Sequence, residues 1–299
     1  MSAFTKATAL LDALELAVER DQGATYRQNL QRVLPHIGDA YRGADESFRS
    51  HLGASVIGGE CPRAIWYGFR WFTKPHFGGR MMRLFNRGHL EEGRFIALLL
   101  SAGIQIFQQD ENGNQFRIHD VGGHFGGSGD GVALGVPGLD PSTYALLEFK
   151  THNAKSFEKL KKEGVRAAKF EHYVQMVTYM RKMGIAVALY MAVNKNDDEI
   201  WAEFVTASNA MADQFIDRGR TIILMKQAPE KISKSPGWFA CSWCDHKPVC
   251  HLGAAPSVNC RSCSHSVAKE DGNWYCDRDD AVLSKAVQLV GCFDYEAIK

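Results

Sequence analysis

Hydrophobic residues recur along the chain at two spacings, one typical of helices and the other of strands. Helical spacing is found at residues 5–20, 25–35, 80–102, 154–169, 170–183 and 208–226. Runs typical of strands are found at residues 104–109, 116–120, 186–193 and 201–206. Helices and strands alternate in this way in α/β proteins. We therefore predict an α/β fold with a central mixed sheet flanked by helices.

The glycine-rich stretch 126–150 contains the most informative polar residues. It leads into Asp130, continues as a short apolar run, breaks at a Pro/Gly-rich turn, and resumes as a strand carrying Glu148, Phe149 and Lys150. Because side chains alternate along a strand, Glu148 and Lys150 share one face and Phe149 points into the core. Two acids beside a lysine can bind a divalent cation next to an ammonium group, which is the equipment for phosphodiester cleavage. A solvated strand face is the alternative.

Two predicted helices add residues to this set. In the helix 80–102, Glu92 lies four residues after Gly88, so both lie on one helix face. Gln175 and Tyr179 have the same spacing in the helix 170–183. The helix 154–169 is rich in lysine, and either follows a phosphate backbone or is a plain solvated helix.

The composition narrows the class of protein. Hydrophobic residues make up 45% of the 299 residues and the net charge is +1, so DNA binding would need a local basic surface. No apolar run reaches the roughly 20 residues that span a bilayer, and the amphipathic N-terminus is unlike a secretory signal. We expect a soluble cytoplasmic protein without a membrane partner, in which eight cysteines bind metal rather than form disulfides.

The cysteines divide into two groups by spacing. In the first, a C-x₂-C-x₅-C run leaves one ligand position for a remote cysteine, giving Cys61, Cys241, Cys244 and Cys250. The second has zinc-ligand spacing in its first pair and comprises Cys260, Cys263, Cys276 and Cys292. His251 and His265 are alternative ligands in the second group. The first group suits an iron–sulfur cluster or zinc, and the second suits Zn²⁺.

Asp130, the Glu148-Phe149-Lys150 triplet and the Gln175-x-x-x-Tyr179 pair resemble the motifs of the PD-(D/E)XK nuclease superfamily. The resemblance covers roughly residues 55–250 and is strongest to RecB-like and lambda-exonuclease-like phage nucleases. It implies a restriction-endonuclease-like core. The three-plus-one cysteine spacing of the first group is similar to the [4Fe–4S] motif of RecB-like nucleases of the AddB and CRISPR-associated types.

The resemblance also implies roles for individual residues. Asp130, Glu148 and the carbonyl of Phe149 would bind Mg²⁺ or Mn²⁺, and Lys150 would orient or activate the attacking water. Glu92 would contribute to the metal site where the RecB branch often has histidine, which leaves the role of His89 open. Gln175 and Tyr179 would position the phosphate backbone. The superfamily's proline before the first aspartate is replaced by Gly129.

These observations predict three segments: an N-terminal helical segment (1–54), a nuclease core (55–252) and a zinc-ribbon tail (253–299). The predicted activity is Mg²⁺-dependent DNA cleavage, as an exonuclease of phage or bacterial recombination or repair. DNA would be the substrate, with a recombination or single-strand-binding protein as a further partner. The alternatives are an endonuclease, cleavage of RNA or nucleotides, and a DNA-binding scaffold that retains a nuclease fold without turnover.

Overall fold

The computed structural model describes residues 4–41 and 48–298, and the predicted N-terminal segment lies partly outside this range. The chain forms two compact units. The sheet unit comprises Met1–Arg42, Phe77–Ile118 and Ser128–Ala212. The cysteine unit comprises Gly43–His76, His119–Gly127 and Asp213–Lys299. The division into three segments that the sequence suggests stays a prediction.

A six-stranded mixed sheet is the centre of the sheet unit. Its strands are β1 (Thr5–Lys6), β3 (Gln105–Phe107), β6 (Gly131–Leu134), β7 (Ala145–His152), β8 (Val187–Asn194) and β9 (Ile200–Thr206). They lie in the order β1-β9-β8-β7-β6-β3. Only β7 and β8 pair in parallel, and the other neighbours are antiparallel. This confirms the predicted α/β fold with a mixed sheet.

Helices cover this sheet because each has an apolar face to bury. They are α1 (Thr8–Glu19), α2 (Ala24–Val33), α4 (Gly79–Ser101), α5 (Ala154–Ala168) and α6 (Phe170–Met183). Apolar side chains of α1 and α4 form one core cluster with alternate residues of β7, namely Ala145, Leu147 and Phe149. The intervening residues of β7 therefore lie on its opposite face.

The parallel pair β7–β8 is buried and requires a crossover connection. Helices α5 and α6 supply it, and α6 ends where Gly184 adopts a left-handed conformation with φ 68°. In the register of the pair, Glu148 lies opposite Tyr190 and Lys150 opposite Ala192. This register decides which side chains of β8 surround the polar residues of β7.

The cysteine unit is built from short elements. Its helices are α3 (Pro62–Phe69), α8 (Phe239–Ser242), α9 (Lys247–His251) and α10 (Lys285–Val290). Strands β10 (Ser266–Ala268), β11 (Trp274–Cys276) and β12 (Ala281–Leu283) form an antiparallel sheet. A second small sheet has the order β2-β5-β4, with β2 at Leu52–Gly53, β4 at Arg117–Asp120 and β5 at Phe125–Ser128. Helix α7 spans Asn209–Leu224.

Two details differ from the sequence prediction. The turn sequence Glu111-Asn112-Gly113-Asn114 between the predicted strands 104–109 and 116–120 is typical of a hairpin within one sheet. An antiparallel bridge does join Gln109 to Gln115, but β3 pairs with β6 whereas β4 belongs to the small sheet. Asp130 lies just before β6 rather than within a strand. No helix in the described part of the chain is both long and apolar enough to cross a membrane.

Candidate active site and cysteine clusters

Strand β7 places Glu148 and Lys150 side by side. Glu148 is fully buried, and the Lys150 ammonium forms an ion pair with its carboxylate. Phe149 points the other way and stacks on Phe95 of α4, with 5.1 Å between ring centroids. The predicted alternation is therefore confirmed. The aromatic contact fixes the strand from the core side, which holds the two polar side chains in place.

The short segment between β5 and β6 places Asp130 beside this pair. The backbone N–H of Phe149 donates a 2.8 Å hydrogen bond to Asp130 Oδ2. The next residue, Gly131, has φ +147°, and a Cβ there would approach the carbonyl oxygen of Phe107 to 2.9 Å. Only glycine suits this combination of backbone conformation and close approach. The sequence motif thus lets Asp130 reach the middle of β7.

Helix α4 contributes Glu92, which is the third carboxylate of the group. Its charge interacts with those of Asp130, Lys150 and Glu148. His89 Nδ1 lies 3.6 Å from Glu92 Oε1, one helical turn away. There is open space where a Cβ of Gly88 would be. The side chain of Glu92 is 34% exposed, so this carboxylate forms the solvent-facing edge of the group.

Helix α6 contributes both residues that were predicted to share a face. Gln175 Nε2 donates a 3.2 Å hydrogen bond to Glu148 Oε2. The Tyr179 hydroxyl donates a 3.0 Å hydrogen bond to the backbone carbonyl of Ser128. The structure therefore brings five of the predicted residues into one cluster, namely Glu92, Asp130, Glu148, Lys150 and Gln175. Tyr179 is hydrogen-bonded to Ser128, which lies two residues before Asp130.

Burial and neighbouring charges disfavour the ionised form of each carboxylate in this cluster. Burial, and then the charge of Asp130, raise the pKa of Glu148 to about 7, although Lys150 opposes the change. Burial, Asp130 and Glu148 raise the pKa of Glu92 to about 8. The pKa of Asp130 is also raised, chiefly by burial. Burial would lower the pKa of Lys150, but Glu148 and Asp130 reverse this and raise it.

The donor chemistry fits a hard divalent cation. Three carboxylates face one ammonium, and Mg²⁺ and Mn²⁺ prefer carboxylate and carbonyl oxygens. Among residues 4–41 and 48–298, no three His, Cys, Asp or Glu side chains are arranged in a geometry that could hold a metal ion. The ammonium of Lys150 contacts the carboxylate of Glu148.

Sequence reasoning missed a buried polar group next to Glu148. Tyr190 lies opposite Glu148 in the register of β7 and β8. Its hydroxyl lies 2.9 Å from His152 Nε2 and 3.0 Å from His172 Nδ1. Burial lowers the pKa of His152 to about 4, which keeps the ring neutral. One signal was available, because His172 is three residues before Gln175 and therefore lies on the same face of α6.

The lysine-rich helix α5 is partly neutralised by its own neighbours. Lys161 pairs with Glu158 at 3.0 Å and Glu199 at 2.9 Å, and Lys159 pairs with Glu163 at 3.7 Å. These ion pairs neutralise part of the positive charge that could otherwise contact a phosphate backbone.

The first cysteine group is brought together in the cysteine unit. A pocket of about 40 Å³ is lined by all four predicted ligands, Cys61, Cys241, Cys244 and Cys250. Cys61 caps helix α3, and its sulfur accepts a 3.4 Å hydrogen bond from the Ala64 N–H. Burial raises the pKa of Cys241 and Cys244, and neighbouring cysteines add to the effect. His251 lines this pocket too.

The second cysteine group lies around the sheet β10–β12. Burial, and then the charges of Cys292, Cys263 and Cys276, raise the pKa of Cys260 to about 11. Cys292 is exposed and the other three are buried. His265 lies 3.5 Å from Glu296. The metal sites predicted from the cysteine spacing stay predictions, because no three His, Cys, Asp or Glu side chains of the described residues are placed to hold a metal ion.

Comparisons with known proteins find only distant likenesses. No family model matches the sequence. No curated protein matches it either. Among solved structures, the alkaline exonuclease LHK-Exo of Laribacter hongkongensis aligns with 58% of this chain and 86% of its own, at 16% identity and a TM-score of 0.41. The structure of LHK-Exo in complex with dAMP aligns with the same fractions of the two chains, at 17% identity and a TM-score of 0.43.

A third structure, SSO0001, aligns with 77% of this chain and 96% of its own, at 12% identity and a TM-score of 0.42. At these values the likenesses do not establish the family or the activity of this chain. The functional assignment therefore depends on the geometry of the site.

Proposed function

We propose that this protein is a metal-dependent DNA nuclease whose active site comprises Glu92, Asp130, Glu148 and Lys150. One observation carries the proposal: the partly buried Lys150, its ion-pair partner Glu148 and the carboxylates of Asp130 and Glu92 lie together in the sheet unit. Holding several carboxylates close together in a partly buried site is unfavourable, and a bound cation would reduce the repulsion between them. A solvated strand face does not account for a Glu148 that is fully buried.

The bound cation would be Mg²⁺ or Mn²⁺. Asp130, Glu148, Glu92 and the carbonyl of Phe149 would hold it, and it would neutralise charge on the phosphate and lower the pKa of a bound water. Lys150 would orient the attacking water or the scissile phosphate. Gln175 holds the Glu148 carboxylate at 3.2 Å, which fixes the direction of that ligand. Gln175 and Tyr179 would also position the phosphate backbone.

The two cysteine groups would hold structural metal sites. For the first group we propose a [4Fe–4S] cluster, because its four cysteines share one pocket; zinc is the alternative that metal analysis decides. For the second group we propose Zn²⁺, since four clustered cysteines suit tetrahedral coordination. Neither site has a redox partner in this proposal.

We propose that the protein acts as an exonuclease in DNA recombination or repair, in the cytoplasm of a bacterial cell. The proposal includes a protein encoded by a phage. The test is a time course on three DNA substrates, each with Mg²⁺ and then with Mn²⁺: an end-labelled linear duplex, its single strand and a closed circle. Loss of the linear substrates with the circle spared supports an exonuclease. Cutting of the circle makes the protein an endonuclease.

DNA binding without cleavage of any substrate, in protein whose cysteine sites contain metal, would refute the nuclease assignment. It would favour the scaffold that retains the fold without turnover. Competition by RNA or free nucleotides separates a DNA nuclease from an enzyme that acts on those substrates.

A further inference from the structure

Two arginines are buried in the cysteine unit, and no carboxylate is among their hydrogen-bond partners in the described part of the chain. Arg70 is 1% exposed and Arg261 is 3% exposed. Within the described residues, the hydrogen bonds of both guanidinium groups end on backbone carbonyls or on the side-chain oxygen of Gln288. All these acceptors are neutral. Two positive charges are thus buried without a negative charge among their hydrogen-bond partners.

Both arginines lie beside the second cysteine group. Arg70 donates hydrogen bonds to the carbonyls of Arg261 at 3.1 Å and Ser266 at 3.0 Å, two residues that flank Cys263. Its Nε has no hydrogen-bond partner among the described residues. A negative charge on Cys263 attracts the Arg70 guanidinium. Arg261 directly follows Cys260 in the chain.

Aromatic rings compensate part of these charges. The Arg261 guanidinium lies 3.8 Å from the ring centroid of Trp71 and 4.7 Å from that of Trp274. The guanidinium of Arg70 lies 5.2 Å from the same Trp274 ring. Cation–π contacts are weaker than the cost of removing a guanidinium from water, and the two like charges repel each other. A buried anion close to the two guanidinium groups would therefore stabilise them.

A zinc ion bound by four thiolates would supply the negative charge that balances the two arginines. Four thiolates and one Zn²⁺ carry a net charge of about −2, which matches two guanidinium groups. We propose that Arg70 and Arg261 are the counter-charges of a zinc site formed by Cys260, Cys263, Cys276 and Cys292. This inference rests on the zinc site of the proposed function and is independent of the nuclease activity. The arginines are positioning residues whose charge would balance that of the zinc-bound sulfurs.

The direct test measures zinc affinity of the full chain by competition with a chromogenic chelator. Arg70→Met should weaken zinc binding about 10–100-fold, which is typical for loss of a group that supports metal ligands. Arg70→Lys keeps the charge and should stay within a few-fold of the wild type. Arg278→Met is the matched control, because Arg278 is two residues past Cys276 but is exposed and pairs with Asp294 at 2.9 Å. It should leave the affinity unchanged.

A second readout separates charge balance from packing. If Arg70 only fills space, Arg70→Met lowers the urea midpoint of the metal-free and zinc-loaded proteins alike. If it balances the thiolates, the metal-free variant is at least as stable as the metal-free wild type, and only the zinc-loaded variant is weaker. If the metal-free cysteine unit does not fold, the difference in zinc affinity between Arg70→Lys and Arg70→Met distinguishes charge balance from packing.

The outcomes distinguish this inference from the zinc site itself. Zinc content that does not fall in Cys276→Ser protein would overturn the site, and the inference with it. Zinc that is lost in Cys276→Ser but bound by Arg70→Met with wild-type affinity would overturn the inference alone.

Discussion

Replacing Glu148 by glutamine should remove a pH dependence of stability that this one buried carboxylate creates. Its pKa in the folded protein is about 7, against the ordinary value of 4.5, because burial and Asp130 disfavour the ionised form. A raised pKa means that the folded state holds its proton more tightly than the unfolded state does. The metal-free wild type must therefore lose stability as pH rises from about 4.5 through 7.

The size of the effect follows from the two pKa values. They differ by about 2.5, and each unit corresponds to about 1.4 kcal/mol, so Glu148 contributes a loss of roughly 3 kcal/mol across this window. Glutamine has the same shape and no charge. The stability of Glu148→Gln relative to the wild type should rise by that amount between pH 4.5 and 8, although the variant is inactive.

The assay is urea unfolding in a chelator at several pH values, for the wild type and Glu148→Gln. Glu15→Gln is the control, since Glu15 is an exposed carboxylate of helix α1 in the same unit. Added Mg²⁺ should stabilise the wild type at pH 8 but not Glu148→Gln, because a ligand that binds only the folded state stabilises it. Parallel pH profiles for the wild type and Glu148→Gln would refute the reasoning.

Three further substitutions probe the site and its supports. Lys150→Met should slow DNA cleavage at least about 100-fold, because it removes the ammonium group beside the attacking water. Lys162→Met is the control, since Lys162 is exposed and its replacement should leave the rate unchanged. Equal cleavage rates of the two variants in a gel assay would contradict this role of Lys150. Gly131→Ala should lower both the urea midpoint and the cleavage rate, because its Cβ would clash with a carbonyl at 2.9 Å and shift Asp130; an unchanged midpoint would argue against that strain. Cys244→Ala should remove iron, sulfide and brown colour from anaerobically purified protein, whereas a colourless wild type with about two zinc atoms per chain would replace the cluster by zinc.

The polar pattern of β7 was accessible from sequence because strand periodicity is local. An acid and a lysine two residues apart must share a face, and Phe149 between them must point the other way. The four-residue spacing of Gln175 and Tyr179 works in the same way on α6. The spacing of the cysteines also predicts two groups of neighbouring ligands, and the metal that each group binds stays a prediction.

What could not be predicted depends on strand register and tertiary burial. Tyr190 lies beside Glu148 only because of the register of β7 against β8. Arginine is mostly exposed in proteins, so nothing in the sequence indicates that Arg70 and Arg261 are buried. The sheet partner of β4 was also inaccessible, because a turn sequence predicts a hairpin but does not determine which sheet each strand joins.

The central claim is that Asp130, which is held against the backbone of β7, belongs to a metal-dependent cleavage site. The most direct measurement is the initial rate of cleavage of an end-labelled linear duplex by Asp130→Asn and by wild type at saturating Mg²⁺. Asp12→Asn serves as the exposed control in the same unit. We predict a rate at least about 100-fold lower for Asp130→Asn, with wild-type folding and cysteine-bound metal, since a lost metal ligand removes charge stabilisation at the phosphate. A wild-type rate in purified Asp130→Asn protein would contradict the account.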